Sequence, residues 1–422
     1  MIGLDVTNFW QPYGLRRDPF FQEPLEVSPQ AVFPVQTLFV GRQAELARIG
    51  RAIGGSDPSR TIVEGHAGVG KTSFVNALKA AVAASGLLVH GQPIRIDDGG
   101  TPNRFLSEVL RVLVRTHSLR RGKDSEFWKS AARLVEGGVR FSGGVTVAGT
   151  GVQVERERLA PEIGHGNLLD RVGEALHHLR KEFGQSILLH VNNLENLEIE
   201  PTDTAASLMQ TVRDLFAYPG AHWLMVGATG IEEAVFRRTD QVSGFFPHAV
   251  VLAPLSVAEI RQVMDRRYEH LRIEGMDVVP PVEIDAVADL YDRYHGDLRN
   301  FLRLLSEASN LLLGIDGVQP LTELQILRTM NQEYRDRVIR QLSEDDYVYL
   351  QTLARKGGDR PEGFRVTEVK EWLNVSLAGA SGIVDRVLGA RMLVRVGRSG
   401  KSVYYQLTGA ASVATDPVGA GQ

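Results

Sequence analysis

The stretch "RTIVEGHAGVGKTSFVNALKAAVAAS" constrains this chain more than any other. Its centre, Gly65 to Thr72, fits G-x-x-x-x-G-K-[ST], with a β-branched apolar run before it and a run of helix formers after it. A strand that turns through glycines into a helix leaves backbone amides pointing outward, where the helix dipole favours an anion. Glycine is required because side chains would collide with a phosphate that the backbone wraps closely. The segment reads as a phosphate-binding loop built from Gly65, His66, Ala67, Gly68, Val69, Gly70, Lys71, Thr72 and Ser73. Lys71 is expected to reach the β and γ phosphates, and Thr72 to offer its hydroxyl to Mg²⁺. His66 occupies a variable loop position and is read as solvent-facing rather than catalytic.

Around that loop the pattern is α/β. "RTIVEG", "LLVHGQPIRID", "SILLHV", "HWLMVGAT" and "HAVVLAPL" read as strands, with amphipathic helices between them such as "NRFLSEVLRVLVRTH". Alternation of this kind predicts a parallel sheet. The expected organisation is an extended N-terminal arm over 1–36 and an α/β core over 37–254. A helical lid over 255–320, a linker helix over 321–342, a compact unit over 343–410 and a disordered tail over 411–422 follow. One insert fits the alternation badly: residues 137–157, rich in Gly, Thr and Val, read as a β-hairpin or as a flexible Gly-rich loop.

Composition sets outer limits. The net charge of −4 means that any nucleic-acid surface is local rather than global. The absence of cysteine removes disulfides, thiolate metal sites and cysteine nucleophiles. The N-terminus lacks a signal pattern, and no apolar run approaches the roughly 18 residues of a membrane span. A soluble, cytoplasmic protein with no membrane partner is expected.

Residues 343–410 read as helix, helix, helix and a two-stranded wing, a winged-helix arrangement. Between Arg365 and Lys401 stand seven Lys or Arg against three Asp or Glu. Arg398 and Lys401 flank the wing tip, with Ser399 and Ser402 as further phosphate donors, so double-stranded DNA is the expected partner. The small residues of "SLAGASG" read few bases and predict weak sequence specificity. Winged helices also bind protein, and that alternative stays open.

With the loop placed, "LFVGRQAEL" (38–46), "LMVGATG" (224–230) and "HGDLRNFLRLL" (295–305) fall into order beside "GHAGVGKTS". Together they resemble AAA+ ATPases of the initiator clade, of the origin-recognition and cell-division-cycle type, over residues 36–410. The resemblance implies a P-loop core with a helical lid and a C-terminal winged helix, binding ATP or ADP with Mg²⁺. It implies that Val40, Gly41 and Arg42 line an adenine pocket, that Thr229 stands at the first sensor position, and that Arg299 is the lid arginine facing the γ phosphate. Arg237 or Arg238 stands where an arginine finger acting on a neighbouring subunit is often found, which implies a homo-oligomer.

Against this pattern, the strand that begins at Ile187 ends in Asn192 and Asn193, where the family carries adjacent Asp and Glu. An amide accepts hydrogen bonds but brings no negative charge to the metal and takes no proton at pH 7. Loss of a general base alone costs roughly 10²–10⁴ in rate. Either hydrolysis is slow or absent and the nucleotide acts as a switch, or Glu195 substitutes. The family also commonly carries a DNA-contacting helix where this chain has its Gly-rich insert, in which only Arg140 is basic between Gly137 and Gln153. The insert is therefore a candidate surface for a protein partner or neighbouring subunit. The leading expectation is a nucleotide-switched DNA-binding protein. The alternative is a signalling or scaffold ATPase of the STAND type, whose winged helix binds protein.

Overall fold

The computed structural model describes residues 8–95, 101–136, 165–192, 194, 204–237, 240–314, 317–358, 360, 362–399 and 402–417. The chain divides into two compact units. A sheet unit comprises Gln43–Glu64 and Leu78–Val251; a helical unit comprises the chain up to Arg42, Gly65–Ala77 and the chain from Leu252 onward.

In the sheet unit, six strands among the described residues form one sheet: β1 (Arg60–Glu64), β2 (Leu88–Val89), β3 (Ile94–Arg95), β4 (Ile187–Asn192), β5 (Ala221–Gly227) and β6 (His248–Val251). Their order is β2-β4-β5-β1-β6, all parallel, with β3 pairing the far end of β4. Ile62 of β1 registers with Met225 of β5 on one side and Ala249 of β6 on the other. Strands covered on both faces should read as continuous apolar runs. All seven residues of β5 are buried, as are the first five of β4. Phe216 meets Trp223 and Phe246 edge-on, each at 5.1 Å. The helices Pro102–Leu119 and His165–Phe183 pack through Leu106, Leu110, Leu113, Val172 and Leu176.

This parallel order, with the phosphate loop following β1 in the chain, agrees with the α/β parallel-sheet core expected from the sequence. One sequence expectation needs correction. "LLVHGQPIRID" is not a single strand but two short ones, β2 and β3. Pro93 has no amide to give a ladder, and the Gly91 carbonyl is turned away to accept Lys79 Nζ at 2.9 Å. The expected hairpin over 137–157 lies outside the described residues.

In the helical unit the N-terminal arm is fastened rather than loose. Trp10, Tyr13, Phe20, Phe21 and Phe33 are buried, and Leu15 bridges Arg272. Buried Arg267 donates to the carbonyls of Pro19 and Phe21 at 2.8 and 2.9 Å and lies over the Phe21 ring. The helices Val257–Leu271, Ile284–Arg293, Leu298–Leu312 and Glu323–Gln341 follow. The first and last of these begin with capping boxes, Ser256 with Glu259 and Thr322 with Gln325.

The winged helix comprises helices Glu344–Gly357, Val366–Leu373 and Leu377–Gly389, then β7 (Leu393–Ser399) paired antiparallel with β8 (Ser402–Leu407). The tail departs from expectation over 411–417. Gly409–Ala414 is a helix with Ala411, Val413 and Ala414 fully buried. Asn331 Nδ2 donates to the carbonyls of Val413, Ala414 and Asp416, and Tyr347 Oη to that of Ala414. Arg293 pairs with Asp416. Small residues that read as a solvated tail are what allow this close packing. Among the described residues no helix is long and apolar enough to cross a membrane.

Candidate functional site

The phosphate loop has the backbone that its sequence demands. Gly68 and Gly70 take left-handed conformations, φ 80° and 96°, and a Cβ placed on Gly70 would point into open space. Lys71 opens the helix Lys71–Ala84 and donates through Nζ to the carbonyls of Gly65 and His66, at 2.6 and 3.0 Å. The Lys71 ammonium is thus folded along the loop. Desolvation, then the Lys71 charge, lowers the His66 pKa. Ala67 and Thr72 are exposed, Gly65 and Val69 buried.

These features fit a polyphosphate: a left-handed glycine backbone with an open side, a lysine on the loop axis and an exposed hydroxyl at the helix start. Among the described residues no three His, Asp or Glu side chains converge as a metal cage. Mg²⁺ is ordinarily held by one or two side chains together with phosphates and water, and the side chain that the loop itself exposes is Thr72.

Three contacts in the helical unit were not legible in the motif, two of them at the loop and its helix. Asp297, the N-cap of the Leu298–Leu312 helix, accepts from the Asn300 amide at 3.1 Å. Its carboxylate lies so close to Gly68 that any Cβ there would collide with it. Ser73 does not face the loop alone: its Oγ accepts the Leu25 amide at 3.2 Å, while Asn76 Nδ2 donates to the Leu25 carbonyl at 2.7 Å. The arm is therefore stitched to the helix that carries the loop. Third, Gly41 packs against the Glu259 carboxylate, and its neighbour Arg42 is buried at φ 65°. Hydrogen bonds from Ser256 hold Glu259 below the usual carboxylate range, and burial pushes Tyr291 up to about 12. Val40 is buried beside this segment.

Arg299 is the second residue of the Leu298–Leu312 helix and is exposed.

In the sheet unit Asn192 ends β4, registered with Arg95 of β3, and is half-buried. Asn193, Glu195 and Arg238 lie outside the described residues. Thr229 is exposed in the turn after β5. That turn is fixed by a residue the sequence reading missed: Glu64, the last of β1 and 7% exposed, accepts the amides of Gly230 at 3.0 Å and Glu232 at 3.4 Å. Arg237 pairs with Glu232 in its own turn.

In the winged helix, Arg398 registers with Val403 in the wing, and Lys401 lies outside the described residues. The Leu377–Gly389 helix is capped by Ser376, which accepts the Gly379 amide at 3.1 Å, and it exposes Leu377, Ala378 and Gly379 at its start. Not all of the positive charge counted in the sequence faces outward: Arg365 pairs with Glu368, and Arg386 forks onto the buried Asp346.

No protein-family model matches this chain. By sequence the chain is similar to an uncharacterized HTH-type transcriptional regulator of Methanocaldococcus jannaschii, 20% identical over 402 residues, covering 93% of this chain and 91% of that protein. By structure it is similar to the ORC1 protein of Aeropyrum pernix, solved in complex with DNA, at 20% identity and a TM-score of 0.47, covering 93% of this chain and 96% of that one. It is also similar to the ORC2 protein of the same organism, solved as ADPNP–ADP complexes, at 13% identity and a TM-score of 0.49, covering 96% and 98%.

Proposed function

We propose that this chain is an ATP- and ADP-binding AAA+ protein that uses the nucleotide as a conformational or assembly switch for gripping duplex DNA. The observation that carries the reading is the loop itself, with Gly68 and Gly70 left-handed and Lys71 laid along it. Amides of the loop and Lys71 would hold the phosphates. Thr72 would offer its hydroxyl to Mg²⁺, and Val40, Gly41 and Arg42 would hold the base. The nucleotide, when bound, supplies a polyanion that both loop and lid can sense. Asp297 is central to that coupling. It caps the lid helix carrying Arg299 and its carboxylate abuts Gly68, so a phosphate entering the loop meets a like charge that must yield. Nucleotide arrival and lid-helix position are thereby linked.

Asn192 and Asn193 bring neither charge nor base, so turnover is slow and the nucleotide stays in place. Duplex DNA would be gripped through the wing, where Arg395 is exposed and Arg398 stands near the tip, with little base reading by the small-residue helix start. Similarity to an HTH-type transcriptional regulator supports the DNA-binding part of this reading.

A second reading has one observation in its favour. The winged helix is packed onto lid elements by the Gly409–Ala414 helix, by Gly409 against Tyr294, and by Arg293 with Asp416. A winged helix held this way suits a brake of the STAND type, bound to protein rather than DNA. Gel filtration of the pure protein with ATP, ADP or neither, each with and without duplex DNA, separates the two. The first reading predicts nucleotide-dependent co-elution with duplex that weakens with salt. A nucleotide-driven size change with no DNA affinity would replace it by the second.

A further inference from the structure

A cleft of about 710 Å³ opens in the helical unit, where the Leu298–Leu312 and Glu323–Gln341 helices meet the winged helix. Arg303, Arg337, Arg386 and Arg391 line it, against a single lining carboxylate, Asp346. That carboxylate is already committed. Asp346 is 4% exposed and accepts Arg386 Nε at 3.0 Å and Nη2 at 2.6 Å. The pair fixes the Arg386 guanidinium in place while half of its side chain stays exposed. Behind the cleft, Glu307 approaches Arg303 at 4.0 Å and Arg337 at 3.6 Å. Neither contact is within hydrogen-bond reach, so both guanidiniums keep donors for another acceptor.

Arg391 supplies an independent observation. The Leu377–Gly389 helix ends in a Schellman motif: the Met392 amide donates to the Val387 carbonyl at 3.0 Å and the Arg391 amide to that of Leu388 at 2.9 Å. Arg391 occupies the left-handed position of that motif, φ 60°. Glycine is the usual residue there because a Cβ is strained. Here the strain is kept and an arginine stands in its place. Its side chain is exposed at the cleft and makes no ion pair among the described residues. Strained backbone retained where a relaxed residue would serve points to a use for the side chain.

We infer that this cleft is a second phosphate-binding site, distinct from the loop at Gly65–Thr72, for a ligand carrying two or more phosphate groups. Arginine forks match phosphate oxygens bidentately, and the volume is in the range of small-molecule sites. Leu342, Met392 and Ala410 give the cleft an apolar wall against which the body of such a ligand lies. The phosphates come from a free polyphosphorylated molecule or from the backbone of DNA. The chemistry recognised is the same. Occupation would tie lid helices to the winged helix, so this site reports to the same joint as the loop without depending on it.

The test uses the full chain carrying Lys71→Ala, which silences the loop, titrated calorimetrically with inorganic tripolyphosphate at low salt. Binding is expected to persist in that background. Adding Arg391→Gly should weaken it about tenfold, and Arg337→Ala about tenfold more, the usual worth of a charge-assisted contact. Arg391→Gly should unfold at no lower temperature, because glycine relaxes the cap, so the loss is not one of folding. Displacement of tripolyphosphate by a short duplex assigns the site to DNA backbone; no displacement assigns it to a free phosphorylated ligand. The inference is overturned if tripolyphosphate does not bind at millimolar concentration, or if its affinity is the same with both arginines replaced. Failure of the loop to bind nucleotide in the parent chain would leave this result standing, since the loop is silenced throughout.

Discussion

Lys79 is buried in the sheet unit at 1% exposure, on the helix that leaves the phosphate loop. Its Nζ donates to the Gly91 carbonyl at 2.9 Å. Around it stand His90 and His190, and among the described residues no carboxylate pairs with it. Burial pushes its pKa from the ordinary 10.5 down to about 8. At about 1.4 kcal/mol per pH unit, that displacement corresponds to about 3 kcal/mol against the charged form. Methionine fills nearly the same volume without charge and forgoes one hydrogen bond worth about 1 kcal/mol. Lys79→Met is therefore expected to stabilise the fold at pH 7 by about 2 kcal/mol. The sign carries a pH signature. Below pH 8 both folded and unfolded chains hold the proton, and the burial cost is present in full. Between about pH 8 and 10.5 the folded lysine releases its proton while the unfolded one retains it, so parent stability rises. Urea denaturation of parent and variant at pH 7 and pH 10 measures both effects, and the difference between the two proteins removes the contribution of every other titrating group. The variant's advantage should shrink as pH rises through that window. A variant less stable than the parent at pH 7, with an unchanged pH profile, would refute the reasoning and mean that the ammonium is paired.

Three further outcomes follow from the site. Gly68→Ala forces a Cβ into the Asp297 carboxylate from a left-handed backbone; it should weaken ATP binding at least about tenfold by titration and shift Tm down. Asn192→Asp with Asn193→Glu restores charge and base, and steady-state phosphate release should rise by roughly 10²-fold or more; an unchanged rate would mean the site is not arranged as an ATPase. Glu64→Ala leaves the Gly230 and Glu232 amides without their acceptor. It should cost about 1–3 kcal/mol and speed hydrogen exchange around Thr229, and unaltered exchange there would remove Glu64 from the role given to it.

The loop was legible because everything it needs is local: strand, glycines, lysine and helix follow each other within one stretch. The buried strands β4 and β5 were legible for the same reason, as apolar runs that only a sheet covered on both faces requires. The long-range contacts of the helical unit were not. Asp297 reaches Gly68, Glu259 reaches Gly41, and Leu25 reaches Ser73 from segments far along the chain, and no local pattern marks those pairings. Glu64 reads as an ordinary residue before a glycine, and only the fold turns its carboxylate onto the amides of a turn 166 residues away. The division of β2 from β3 follows Pro93 and Gly91, signals present in the sequence but outweighed by the apolar residues on either side. The tail was misread because small residues describe a solvated coil and a closely packed short helix equally well. Only partners such as Asn331 and Tyr347 decide between them.

The most direct test of the account is calorimetric titration of the pure protein with ATP and with ADP in the presence of Mg²⁺, followed over hours for phosphate release. The account predicts one tight nucleotide site at the loop, lost in Lys71→Ala, with any residual binding removed by replacing Arg337 and Arg391, and with nucleotide retained and little phosphate produced. A folded protein that takes up neither nucleotide at millimolar concentration, or one that turns ATP over rapidly, would contradict it.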